Sequence, residues 1–168
     1  MHSVSKKIIL AGRFCVGKTS LISRFVYQRF AFSYQTTLGV RIDRKVVQIE
    51  DVSINMIIWD VGGEQTQSRV PNTYYMGSSG VIYVFDTISP DSFSQIADDL
   101  AFINEQLPQV PIVTVGNKID LISEETLAEV TKMLPITADF YASALDGTNV
   151  ENIFIKLAES IINGVFLK

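Results

Sequence analysis

The stretch Gly12-Arg13-Phe14-Cys15-Val16-Gly17-Lys18-Thr19 constrains the fold of this chain more than any other. It matches GxxxxGK[ST] in full. It follows the apolar run Lys7 to Ala11 and opens a helical run, Lys18 to Gln28, with Leu21, Ile22, Phe25 and Val26 on one face. A strand that turns through glycines into a helix can aim backbone N–H groups at phosphate oxygens, and the helix dipole adds positive potential there. Lys18 would reach the β- and γ-phosphates, and the Thr19 hydroxyl would ligate Mg²⁺. Gly12, Phe14, Cys15, Val16, Gly17, Lys18 and Thr19 are therefore candidate nucleotide-binding residues. Ser20 is grouped with them, although its ordinary role at a helix start is structural.

The rest of the chain alternates apolar runs with helical periodicity, which predicts an α/β fold with a mostly parallel sheet. Val40 to Ile49 and Ser53 to Trp59 read as strands joined at Asp51 by a hairpin turn, and so as the antiparallel pair. Gly80 to Phe85 and Pro111 to Gly116 are continuous apolar runs, as strands covered on both faces should be. Ser89-Pro90 and Ser123-Glu124-Glu125 read as helix starts. Asp139 to Ala142 reads as a short last strand, and Thr148 with Glu151 as a capping box before the final helix. At 168 residues, 47% of them apolar, residues 1–168 form one globular domain.

Composition narrows the chemistry. A formal net charge of -4 argues against a general nucleic-acid binder. Cys15 is the one cysteine, so no intrachain disulfide exists, and His2 is the one histidine, which removes histidine-based catalysis and Cys/His zinc sites. No signal peptide, membrane-length apolar run or prenylatable C-terminal cysteine is present. The expectation is a cytoplasmic protein without a covalent membrane anchor, any recruitment to membranes being left to partners.

Further motifs complete a site. Ile57-Ile58-Trp59-Asp60 is an apolar strand ending in a carboxylate, suited to Mg²⁺ at the carboxyl edge of a sheet. Gly63, closing Asp-x-x-Gly, lets a backbone N–H approach a γ-phosphate. In Tyr34 to Gly39, a threonine hydroxyl, from Thr36 or Thr37, can complete the Mg²⁺ shell when the third phosphate is present. Asn117-Lys118-Ile119-Asp120 follows a strand. A buried Asp120 carboxylate can accept both the ring N–H and the exocyclic amine of guanine, an edge that adenine lacks. The Lys118 stem can lie over the base, and in Ala142-Ser143-Ala144 a backbone N–H can meet the guanine oxygen.

In this order the motifs resemble the Ras superfamily of small GTPases, most closely its Rab branch. The likeness runs over nearly the whole chain. It rests on Gly12 to Thr19, Thr37-Leu38-Gly39-Val40, Trp59 to Gly63, Asn117 to Asp120 and Ser143-Ala144, with Tyr74-Tyr75 and Asp146 to Val150 also similar. The resemblance implies a P-loop G domain: a six-stranded, mostly parallel sheet with one antiparallel strand and helices on both faces. It also implies that Phe30 stacks on guanine, that Thr37 is the switch I threonine, and that Asp60 and Gly63 open switch II. Mg²⁺ and GTP or GDP are the implied ligands. Effectors, exchange factors and activating proteins are the implied partners, reached through the switch loops.

The chain departs from that pattern in ways that bear on rate. Glu64 stands where the family usually has a water-positioning glutamine, and Gln65 lies one residue later. Glu64 can accept a proton but cannot donate to a γ-phosphate. At about 4 Å and an effective dielectric near 20 its repulsion is of order 4 kcal/mol before screening. The catalytic candidates are thus Lys18, Thr37, Gly63, Glu64 and Gln65. Phe14 and Cys15 replace small residues of the phosphate loop, and Phe14 obstructs the path of an incoming arginine finger. Leu145 replaces a lysine after Ser143-Ala144, and Pro71 should break or end the switch II helix. The expected function is a slow GTP/GDP switch, with a hydrolysis-deficient GTP-binding scaffold as the alternative. A nucleotide kinase would need an arginine-rich lid, and the sequence has none.

Overall fold

The computed structural model describes residues 2–30, 39–62 and 71–166. The sheet has six strands in the order β2-β3-β1-β4-β5-β6. These are β1 (His2–Ala11), β2 (Val40–Ile49), β3 (Val52–Val61), β4 (Gly80–Asp86), β5 (Ile112–Asn117) and β6 (Phe140–Ala142). Among the described residues, only β2 runs antiparallel, paired with β3. The helices are α1 (Lys18–Tyr27), α2 (Asn72–Tyr75), α3 (Ile96–Gln106), α4 (Glu124–Met133) and α5 (Val150–Phe166). Short 3₁₀ turns cover Pro90–Gln95 and Ile119–Leu121. Among the described residues, no helix is long and apolar enough to cross a membrane.

Alternation along the strands divides the core into two layers. Ile8, Leu10, Ile54, Met56, Ile58, Ile82 and Val84 pack with Leu21, Ile22 and Phe25 of α1 and Ile153, Phe154 and Leu157 of α5. Ile9, Ala11, Val81, Tyr83 and Phe85 pack with Tyr75, Ile96, Ile103 and Val130 on the other face. Every residue of β4 is buried, because helices cover both of its faces. The Phe25 and Phe154 rings stack with centroids 3.8 Å apart, joining α1 to α5. The Lys45 ammonium sits 3.8 Å from the Phe25 centroid and reaches Glu151 at 3.0 Å, tying β2 to the same pair.

Local expectations were met unevenly. The β2–β3 hairpin turns at Glu50 and Asp51, with Glu50 at φ 49°. Ser123 caps α4, its hydroxyl accepting from the Thr126 N–H at 3.2 Å. β1 begins at His2 rather than Lys7, since Ser3 and Ser5 pair in register with Ser53 and Asn55 although they are not apolar. Ser89 makes no side-chain cap; its carbonyl accepts from Ser92 Oγ as the chain enters a 3₁₀ turn. The Thr148–Glu151 box does not form. Thr148 Oγ1 donates to Asp146 and Glu151 turns to Lys45, while Asn149, at φ 60°, precedes the helix and accepts from Asn152 Nδ2. Pro71 stands immediately before α2, and the segment it was expected to end lies outside the described residues.

The topology decides where a site can lie. Strand order reverses around β1, which pairs with β3 on one side and β4 on the other. The carboxyl ends of the parallel strands line up there: Leu10 opposite Asp60, and Asp86, Asn117 and Ala142 across from one another. Ligands of open α/β sheets sit outside such an edge, at the reversal point.

Candidate functional site

The phosphate-loop segment leaves β1 at this edge and enters α1 through two glycines whose missing side chains are structural requirements. Gly12 has φ +134°, and a Cβ there would lie 2.1 Å from the Val84 carbonyl oxygen of β4. A Cβ on Gly17 would lie 2.2 Å from Asn117 Nδ2. Between them, Val16 is buried in the core, Phe14 is half-buried and Cys15 is exposed at φ 63°. Ser20, on the first turn of α1, is half-buried.

Lys18 is only 6% exposed, and its ammonium donates to the carbonyls of Gly12 at 2.9 Å and Arg13 at 2.8 Å. Burial pushes its pKa down to about 8, opposed by the negative charge of Asp60 and by Cys15. A buried cation strapped across a loop of this shape favours an anion as its partner.

Asp60, 1% exposed at the end of β3, accepts from Thr19 Oγ1 at 2.6 Å. Burial raises its pKa, against the Thr19 hydrogen bond and the charges of Lys18 and Arg41, while Asp43 adds to the rise. A hydroxyl that gives its hydrogen to a carboxylate offers lone pairs to a hard cation beside it, so Thr19 and Asp60 fit Mg²⁺. Among the described residues no group of three or more His, Cys, Asp or Glu could hold a metal. An ion here would take its other ligands from phosphate and water, as Mg²⁺ does at nucleotide sites. Thr37, Gly63, Glu64 and Gln65 lie outside the described residues. Asp43, 5% exposed on β2, receives Tyr27 Oη from the end of α1 and pairs with Arg41 at 2.9 Å, so the chain is tied together on both sides of residues 31–38.

Asn117, 1% exposed at the end of β5, connects the two halves of the edge. Its Nδ2 donates to the Val16 carbonyl at 3.0 Å, and its Oδ1 accepts from the Ala144 N–H at 3.2 Å. That amide, expected to meet a base oxygen, is thus engaged with Asn117 in this structure. Ser143 is fully buried, and its hydroxyl donates to Asp120 Oδ1 at 2.6 Å. Asp120 is exposed rather than buried as expected, because it lies on the 3₁₀ turn Ile119–Leu121 just past the end of β5, none of whose residues is buried. Leu145 is 37% exposed, and Phe30 packs half-buried against the α1/α5 layer.

Two supporting residues escaped the sequence reading. Asp86 Oδ2 accepts from the Lys118 ammonium at 2.6 Å, steering a side chain whose backbone is at φ 73°. Thr87 donates to the Asn117 carbonyl through Oγ1 at 2.9 Å and through its N–H at 3.1 Å. The available signal was a polar pair closing the apolar run of β4, in register with Asn117.

The Ras family model matches residues 7–163. Ras-related protein Rab-7b of Mus musculus is 37% identical over 165 residues, covering 92% of this chain and 81% of the relative. Ras-related protein Rab-4 of Dictyostelium discoideum is 32% identical, over 95% of this chain and 80% of its own length. GTP-binding protein yptV2 of Volvox carteri is 28% identical, over 93% and 75% respectively.

Proposed function

The chain belongs to the Ras family, and from that membership we propose that it is a Mg²⁺-dependent GTP/GDP switch that hydrolyses GTP slowly and signals to effectors through two switch loops, one around Thr37 and one opened by Asp60 and Gly63. The observation that carries the reading is the double tie of Asn117. It bonds the phosphate loop through Val16 and the Ser143-Ala144 loop through Ala144, so that a phosphate cradle and a purine reader share one rigid support.

The chain's own groups divide the work. The amides of residues 12–19 and the Lys18 ammonium hold the phosphates and offset the charge that builds up on them during transfer. Thr19, Thr37 and Asp60 hold Mg²⁺, which when bound neutralises phosphate charge. Asp120 accepts the paired donors of guanine, while Ser143 fixes its rotamer from behind. Lys118, pulled toward Asp86, lays its stem along the base. Glu64 or Gln65 positions the attacking water. A carboxylate does this poorly, since it cannot donate to the γ-phosphate, and the Phe14 ring blocks an external arginine. Exchange factors, activating proteins and effectors are the expected partners, and membranes are reached through them.

Glu64 and Phe14 also favour a second reading, in which the chain holds GTP without hydrolysing it and serves as a scaffold. Denaturing the purified protein and chromatographing its nucleotide should release GDP or GTP. Equal calorimetric affinity for ATP and GTP would overturn the guanine reading. Single-turnover hydrolysis separates switch from scaffold: γ-phosphate lost over minutes to hours indicates the switch, and γ-phosphate that survives for days indicates the scaffold.

A further inference from the structure

α1 touches both ends of the edge. Its first turn carries Lys18 and Thr19. Six residues on, about 9 Å along the axis at the usual rise, Arg24 reaches the loop that follows β6. Arg24 Nε donates to the Ala144 carbonyl at 2.9 Å, and Nη2 donates to the Leu145 carbonyl. Arg24 is half-buried, and its Cδ lies 3.6 Å from where a Gly147 Cβ would be. The same loop contains Ser143, which holds Asp120, and Ala144, which is bonded to Asn117.

We propose that Arg24 is a positioning residue for purine selection: its fork clamps the carbonyls of Ala144 and Leu145 and so fixes the loop that orients Asp120 and the Ala144 amide. The inference rests on the guanine-nucleotide reading above. Two parallel N–H groups on adjacent carbonyls need a planar, rigid donor, which lysine does not provide. Without them the loop remains attached through Asn117 and its own turn bonds, Gly147 N–H to the Ser143 carbonyl and Ser143 N–H to the Thr148 carbonyl. The turn bonds close the loop on itself; among the described residues Arg24 supplies the side-chain hydrogen bonds that set it against α1, the helix that opens with Lys18 and Thr19.

The test compares GDP with ADP on the full chain with Mg²⁺, by calorimetry and by competition against a fluorescent GDP analogue. In the wild type, preference for GDP tests the guanine reading by itself. Arg24→Met should weaken GDP binding tenfold or more through faster dissociation, leave ADP within twofold, and so shrink the ratio. Arg24→Lys, which keeps the charge and can bond one carbonyl, should recover part of the loss. Equal weakening of both nucleotides would mean a merely structural residue and overturns the proposal, as does an unchanged GDP affinity. Should Arg24→Met fail to fold, Arg24→Gln must show the same selective loss or the proposal falls.

Discussion

Truncating Asn117 to alanine strips two partners at once from groups that water cannot reach. The Val16 carbonyl loses the Nδ2 donor, and the Ala144 N–H loses the Oδ1 acceptor. Val16 and Ala144 are 4% and 3% exposed, so neither group can turn to solvent. A buried polar group left unpaired costs about 1–3 kcal/mol, so the nucleotide-free protein should lose about 2–6 kcal/mol. That is a large share of the roughly 5–15 kcal/mol that holds a domain together. Urea titration with an unchanged m-value is the assay. Asn117→Asp sharpens it. The carboxylate keeps the acceptor for Ala144 but sets a negative oxygen against the Val16 carbonyl, so its folded pKa lies above the unfolded value of about 3.9. The folded variant then binds more protons than the unfolded chain, and its stability falls as pH rises from about 4 to 7. A loss under about 1 kcal/mol for the alanine variant, or an Asn117→Asp deficit that ignores pH, would refute the double tie.

Other outcomes follow from the same geometry. Lys18 titrates at about 8 when folded and 10.5 when unfolded, so the unfolded chain binds more protons between these values, and nucleotide-free stability rises with pH from 8. Tyr83, pushed up from 10.0 by burial and by Asp99, acts in the opposite sense above that pH, so the window is pH 8 to 10. Thermal unfolding of wild type against Lys18→Met checks this, since the rise should shrink in the variant to what Lys7, its pKa also lowered by burial, contributes. Asp120→Asn replaces a carboxylate with an amide that can donate to the 2-oxo group of xanthine, so competition binding should show GDP weakened and the xanthine nucleotide strengthened. Unchanged GDP affinity would count against the base-reader role. Gly12→Ala should cost at least about 4 kcal/mol by chemical denaturation, because its Cβ meets the backbone of β4 as well as a strained φ. Gly77→Ala, also at positive φ but with nothing within 4 Å, should cost about 1–2 kcal/mol, and equal losses would refute the close-approach argument.

Much of this protein could be read from local pattern alone. Gly12 to Thr19 implied a strand, an anion-binding turn and a helix, because such a loop has few other physical uses. The buried strands β4 and β5 showed as unbroken apolar runs, and the β2–β3 pair showed through its hairpin turn. Asp60, Asn117 and Asp120 stood out because polar residues just after apolar strands emerge at the carboxyl edge of a sheet, and the fold puts them at that edge. Tertiary structure alone decided what supports them. Arg24 reads as an ordinary helix residue until the chain returns more than a hundred positions later with Ala144 and Leu145 against it. Asp86 becomes the partner of Lys118 only when β4 and β5 lie in register. The start of α5 also turned on distance: Glu151 left its local capping role for Lys45 on β2, and Asn149 took the turn instead. Hydrophobic period and turn chemistry are local and can be read along the chain. A hydrogen-bond partner is whichever group folding brings within about 3 Å, and that is set by strand order and register.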